Sequence, residues 1–133
     1  MAESIGAVVD TSVFVALEQR RPIRRVELPP VRAISVVTLA ELRLAVFNST
    51  DPFEQAVRLQ TLEKALRVHP VPIDEVIAFQ WAVLRSAARS LSQSRINDLW
   101  IAATAMALRV PVITQDDGFA RLAEVGGPTV IRV

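Results

Sequence analysis

Ile5-Gly6-Ala7-Val8-Val9-Asp10-Thr11-Ser12 decides how the rest of this 133-residue chain is read. A short apolar run is followed at once by a carboxylate and two hydroxyls, the pattern of a buried strand that ends on an acid and passes into a helix. A comparable junction recurs at Ala33-Ile34-Ser35-Val36-Val37-Thr38-Leu39-Ala40-Glu41, at Ile96-Asn97-Asp98-Leu99 and at Val112-Ile113-Thr114-Gln115-Asp116. Asp10 and Asp116 fall at strand ends, whereas Glu41 and Asp98 fall in the first turn of a helix. Apolar runs alternating with stretches of helical period are the mark of βαβ units, so the fold class is α/β: a central, mainly parallel sheet with helices on both faces. The carboxyl ends of parallel strands share one edge of the sheet, where ligands bind, and the four acids are expected to converge there.

Working outward, Ile5 to Val9 reads as the first strand and Ser12 to Gln19 as a short helix. Arg20 to Pro30, with Pro22, Pro29, Pro30 and four arginines, reads as a loop. Ala33 to Val36 is the second strand, and Thr38 opens a helix to Phe47. Asn48-Ser49-Thr50-Asp51-Pro52 closes that helix and caps the next, which runs from Phe53 to Leu66. Val68 to Ile73 is an edge strand or none, because Pro70 and Pro72 cannot donate to a ladder. Asp74 to Leu91 is expected to be the longest helix, with Ile77, Trp81, Leu84, Ala88 and Leu91 on one face. After a polar break at Ser92 to Ser94, Ile96 to Leu108 is apolar nearly all round and so central. Val110 to Thr114 is a buried strand, Asp117 to Ala123 a helix, and Thr129 to Val133 the last strand.

Composition sets the bounds. Residues 1–133 make one domain by size, large enough to bury a core without staples. The chain is 51% hydrophobic and only 5% aromatic, which excludes intrinsic disorder and predicts a core of Ala, Val, Leu and Ile. A net charge of +1 argues against bulk electrostatic binding to nucleic acid, so any polyanion contact must be a local patch. Lys64 is the only lysine among fifteen basic residues; arginine suits phosphate, although codon usage is the simpler explanation. No cysteine is present, which removes disulfides, thiolate metal sites and cysteine nucleophiles. The N-terminus does not read as a signal peptide, and Leu99 to Val110 falls short of the ~20 residues of a membrane span. The expectation is a soluble, cytoplasmic protein with no membrane partner.

Each acid has a structural reading of its own. Asp10 and Asp116 could cap helices, Thr38 to Glu41 fits a capping box, and Asp98 would favour the positive end of a helix dipole. Together they imply more. Four carboxylates in one pocket repel, and burial raises their pKa values unless a cation compensates. Oxygen ligands without histidine or thiolate suit Mg²⁺ or Mn²⁺. Thr11 and Ser12 beside Asp10, and Thr114 beside Asp116, supply the hydrogen-bonding neighbours that a metal site wants.

The segments Val8-Val9-Asp10-Thr11-Ser12, Val37-Thr38-Leu39-Ala40-Glu41-Leu42, Asn97-Asp98-Leu99-Trp100-Ile101-Ala102-Ala103-Thr104-Ala105 and Val112-Ile113-Thr114-Gln115-Asp116, followed by Phe119 and Leu122, come in an order and spacing that resembles the PIN-domain ribonucleases. Within them the likeness is to the small VapC-type toxins of bacterial type II toxin–antitoxin systems, over nearly the whole chain. The resemblance implies a compact three-layer α/β/α sandwich and an acidic pocket of Asp10, Glu41, Asp98 and Asp116 that binds Mg²⁺ or Mn²⁺ and hydrolyses RNA. Asp10 and Asp98 are the first choice as direct ligands, with Glu41 and Asp116 completing the set. Thr11, Ser12, Asn97, Thr114 and Asp117 support it, and Asp117 could share the role of Asp116. The resemblance also implies an antitoxin partner, a homodimer and a hetero-oligomer with the antitoxin. Cleavage is expected to leave a 5′-phosphate and a 3′-hydroxyl, since no histidine pair exists for a metal-free route.

Among the other residues, Arg95 is the arginine expected nearest the substrate. Arg20, Arg21, Arg24 and Arg25 could hold phosphates or an acidic partner, or simply be solvated. His69 reads as structural rather than catalytic, and Trp81 and Trp100 as core residues. Val13, Phe14, Leu17, Leu44 and Phe47 could form a surface groove for a partner. Two other functions compete. A haloacid-dehalogenase-like phosphatase also begins with a strand-terminal aspartate but wants a second aspartate where Ser12 stands. A non-catalytic protein-binding module would use the acids only as caps.

Overall fold

The computed structural model describes residues 4–90 and 95–133. Strand β1 (Ala7–Val9) leads into α1 (Thr11–Glu18), β2 (Arg32–Ser35) into α2 (Val36–Phe47), and α3 (Pro52–Leu66) follows. Then come β3 (Pro70–Val71), α4 (Glu75–Ala87), α5 (Ile96–Leu108), β4 (Val112–Thr114), α6 (Gly118–Glu124) and β5 (Val130–Arg132). The five strands form one sheet in the order β3-β2-β1-β4-β5, and every neighbouring pair is parallel.

Alternation along the strands sorts the core into two layers. Ala7, Val9, Ile34 and Ile113 pack with Val13 and Phe14 of α1, Leu42 and Val46 of α2, and Leu62 and Ala65 of α3. Val8 and Val112 point to the opposite face, against Ile77 and Leu84 of α4, Leu99 to Ala105 of α5, and Phe119 and Leu122 of α6. A strand covered on both sides must be apolar at every position, which is why β1 and β4 read as unbroken hydrophobic runs. The three-layer sandwich follows. Alanines 102, 103 and 105 are fully buried, so α5 lies close on the sheet and carries Asp98 in its first turn.

Element boundaries shift by a residue or two, with three informative differences. The capping box at Thr38 to Glu41 does not form. Helix α2 starts earlier, at Val36, because the Ser35 hydroxyl accepts from the Val37 N–H at 3.1 Å and ends β2 there. Glu41 therefore sits in the second turn, and Thr38 is fully buried. Helix α4 stops at Ala87, short of the expected Leu91, and α3 with 15 residues exceeds its 13. The Arg85 guanidinium donates to the Ala88 carbonyl at 3.1 Å, satisfying an acceptor that another turn would have used. Leu91 and the polar break at Ser92 to Ser94 lie outside the described residues. The proline-flanked segment does form an edge strand, β3, two residues long.

The caps expected around Pro52 are present. Asp51 accepts from the Glu54 N–H at 2.8 Å, and the Glu54 carboxylate reaches back to the Thr50 N–H at 3.2 Å. Asp51→Ala should therefore cost about 1 kcal/mol in urea unfolding, with the spectrum of the folded state unchanged. Trp81 and Trp100 stack with ring centroids 5.0 Å apart, joining α4 to α5 as half-buried residues packed against the core.

Candidate active site

Asp10, Glu41, Asp98 and Asp116 line one cleft of about 240 Å³ at the carboxyl ends of the central strands. Thr11, Ser12, Val15 and Arg21 complete its wall. Central strands β1 and β4 are neighbours although β4 is nearly the last strand of the chain, so Asp10 and Asp116 meet across a large sequence separation. Helices α2 and α5 then bring Glu41 and Asp98 in from either face.

Asp10 is 3% exposed and occupies the cap position of α1, but its side chain makes no cap bond. Its Oδ2 instead accepts from the Ser12 hydroxyl at 2.6 Å and the Thr114 hydroxyl at 2.8 Å. Ser12 and Thr114 are themselves 3.2 Å apart, and each also accepts a backbone N–H, from Gln115 and Asp116 respectively. Burial pushes the Asp10 carboxyl above the usual aspartate range, the two hydroxyls oppose this, and Asp116 adds to it. Glu41 Oε1 accepts from the Thr11 hydroxyl at 2.7 Å, and that hydroxyl lies 2.9 Å from the Thr38 hydroxyl. Burial likewise raises Glu41, against the hydrogen bonds of Thr11 and Asn97. Asn97 in the first turn of α5 and Thr11 in the first turn of α1 are thus both brought beside Glu41.

Asp98 is pushed up to about 6 by burial and by the charges of Asp10 and Asp116, with Arg95 pulling the other way. Asp116 behaves differently. Burial alone would raise it, but the Gly118 N–H and Arg95 hold it below the usual range. One oxygen of Asp116 accepts from the Gly118 N–H at 2.9 Å, so it does serve the start of α6, while the other receives Arg95 at 2.6 Å. Its neighbour Asp117 is exposed, turned to an ion pair with Arg132, and does not line the cleft. The geometry separates the two adjacent acids that the sequence left blurred.

Arg95 and Arg21 are the arginines at the site; Arg95 was expected there, Arg21 only as one of four in a loop. Exposed His69 lies elsewhere, with a left-handed φ of 34°. Gly118, which sequence reading passed over, proves to be the floor against which the Arg95 guanidinium rests. The expected partner groove is redistributed. Val13 and Phe14 are largely buried, and with Leu17, Ile23, Leu28, Val68 and Val133 they line an apolar cleft of about 280 Å³. Leu44 and Phe47 stand exposed on α2, outside that cleft.

Carboxylate and hydroxyl oxygens are the donors that hard divalent cations prefer, so the chemistry of the site fits Mg²⁺ or Mn²⁺. Among the described residues no three His, Cys, Asp or Glu side chains are already gathered as a cage for an ion. Hydroxyls tether Asp10 and Glu41, and Arg95 stands between Asp98 and Asp116. Magnesium keeps several waters and takes one or two carboxylates directly, so a ready cage is not required.

A parallel α/β/α sandwich whose carboxylates converge at the carboxyl edge of the sheet defines a class, the PIN-like domains. The PIN domain family matches residues 7–125. The chain is 46% identical over 129 residues to Ribonuclease VapC5 of Mycobacterium tuberculosis, covering 96% of each, and 40% identical to Ribonuclease VapC4 of the same organism, covering 90% and 92%. A crystal structure of VapBC-5, a member of the VapBC family of toxin–antitoxin systems from Mycobacterium tuberculosis, superposes with a TM-score of 0.76 at 41% identity, covering 98% of both chains. The protein belongs to the PIN-domain family, in its VapC ribonuclease branch.

Proposed function

We propose that this chain is the endoribonuclease toxin of a toxin–antitoxin pair and that it cleaves RNA at the acidic cleft with a divalent ion, Mg²⁺ or Mn²⁺. The observation that carries this reading is the convergence of Asp10, Glu41, Asp98 and Asp116 on one cleft of a VapC-type fold. The related proteins are named ribonucleases, and the matched crystal structure belongs to a toxin–antitoxin system.

Asp10 and Asp98 are the direct ligands in this reading, with Glu41 and Asp116 completing the set. The bound ion supplies Lewis acidity at the scissile phosphate and an acidified water. Ser12 and Thr114 hold the same oxygen of Asp10, which fixes the plane of that carboxylate. Thr11 and Asn97 hold Glu41 against its burial, placing it to orient the attacking water. Arg21, on the rim, offers a positive charge to an RNA phosphate while the acids repel the strand elsewhere. No described helix is long and apolar enough to cross a membrane, and we place the activity in the cytoplasm.

The antitoxin is assigned to the apolar cleft lined by Leu17 and Leu28 and to exposed Leu44 and Phe47 on α2. Val76, Phe79 and Val83, exposed along one face of α4, are assigned to a second copy of the chain.

The test is cleavage of total RNA by purified protein with Mg²⁺ or Mn²⁺ and with chelator, beside Asp10→Asn. Discrete fragments that need the ion and are lost in the variant are the expected result. No cleavage with any ion, or equal cleavage by the variant, would leave the acids without a catalytic role and the chain a binding module.

A further inference from the structure

We propose that Arg95 is a built-in counter-cation that a divalent ion must displace, so that its guanidinium competes with the metal for Asp98 and Asp116. The inference rests on the metal-dependent reading above and adds to it what occupies those carboxylates before the ion arrives.

One nitrogen, Arg95 Nη1, bridges the two acids, 2.6 Å from Asp116 Oδ2 and 3.1 Å from Asp98 Oδ2. An ordinary ion pair within one helical turn accounts for Asp98, three residues away, but not for Asp116, 21 residues away on another element. The seat is also shaped. A Cβ on Gly118 would lie 2.3 Å from Arg95 Nη1 and 2.7 Å from Cζ, so a side chain there must push the guanidinium from its present place.

Charge balance gives the seat its meaning. Asp10, Glu41, Asp98 and Asp116 repel one another in the cleft, and Arg95 is the cation placed between two of them. A divalent ion brings twice its charge and takes carboxylate oxygens that Arg95 now holds. The Arg95 side chain is 38% exposed and precedes α5, so it can swing out without unfolding anything. Half-exposed ion pairs of this kind are weak enough to be exchanged.

Mn²⁺ titration followed by the electron-spin resonance of the free ion measures the competition without any turnover. Wild type is compared with Arg95→Gln, which removes the cation, and Gly118→Ala, which evicts it while leaving every charge in place. Gly118 lies outside the left-handed region, so alanine strains only the movable end of the arginine. Both variants should bind Mn²⁺ on the order of five- to tenfold more tightly than wild type. Wild type that binds Mn²⁺ while both variants bind equally or more weakly overturns the inference alone, making Arg95 an organiser of the carboxylates. No Mn²⁺ binding by wild type or by either variant overturns the metal reading itself, and this inference with it.

Discussion

Asp98→Asn should stabilise the chelator-treated protein at pH 7.5 while lowering RNA cleavage by about 10²–10³-fold or more. Burial and two neighbouring carboxylates push Asp98 up to about 6, even with Arg95 beside it. The folded state therefore holds the Asp98 proton more tightly than the unfolded chain does. That contribution to stability is fully present below the unfolded pKa and is lost as pH rises through about 6. At pH 7.5 the ionised carboxylate is a net burden, and a neutral amide of the same shape removes it. The expected gain is about 1–2 kcal/mol, seen as a rise of a few degrees in the thermal midpoint. Repeating the melt at pH 4 should make the difference vanish, because wild type is then protonated as well. A variant less stable than wild type at both pH values would mean that the Arg95 pair outweighs the burial.

Thr114→Val should have the largest effect on stability of any single-atom change at the site. The side chain is fully buried, and its hydroxyl donates to Asp10 at 2.8 Å while accepting the Asp116 N–H at 2.9 Å. Valine has the same shape but leaves the half-buried Asp116 N–H without its acceptor and removes a donor from the buried Asp10 carboxylate. A loss of about 2–4 kcal/mol in urea unfolding is expected, since an orphaned buried group costs more than a hydrogen bond contributes. The Asp10 carboxyl, already raised by burial, would rise further without one of the two hydroxyls that oppose it. The acid limb of the cleavage profile should move to higher pH. An unmoved profile would separate Thr114 from the ionisation of Asp10 and leave it a purely structural residue.

The sequence made the convergence of four acids legible because strand ends are readable from hydrophobic runs, and a parallel sheet puts those ends on one edge. Pro70 and Pro72 likewise left room only for an edge strand or none, and a two-residue edge strand formed. What the chain did not disclose was which of several hydroxyls would act as a cap. Ser35 and Thr38 both fit the rule, and the choice fell to Ser35 because Thr38 is drawn inward beside Thr11. Asp10 looks like a cap by position, but its carboxylate is taken up by the hydroxyls of Ser12 and of Thr114, the latter arriving from β4. The seat of Arg95 was unreadable for the same reason, being made by Asp116 and Gly118 on a part of the chain that only the finished sheet brings near.

The sheet order also sets a schedule. Strand β1 leaves the ribosome well ahead of its neighbour β4, and the Asp10–Thr114 hydrogen bond spans 104 residues. Until Val112 to Asp116 emerge, the central strand has one bare edge and the cleft lacks a wall, and such non-local pairing is slow to form. A growing chain therefore carries Asp10 without an assembled site until β4 has been made, and the cleft closes only when strands far apart in the sequence have paired.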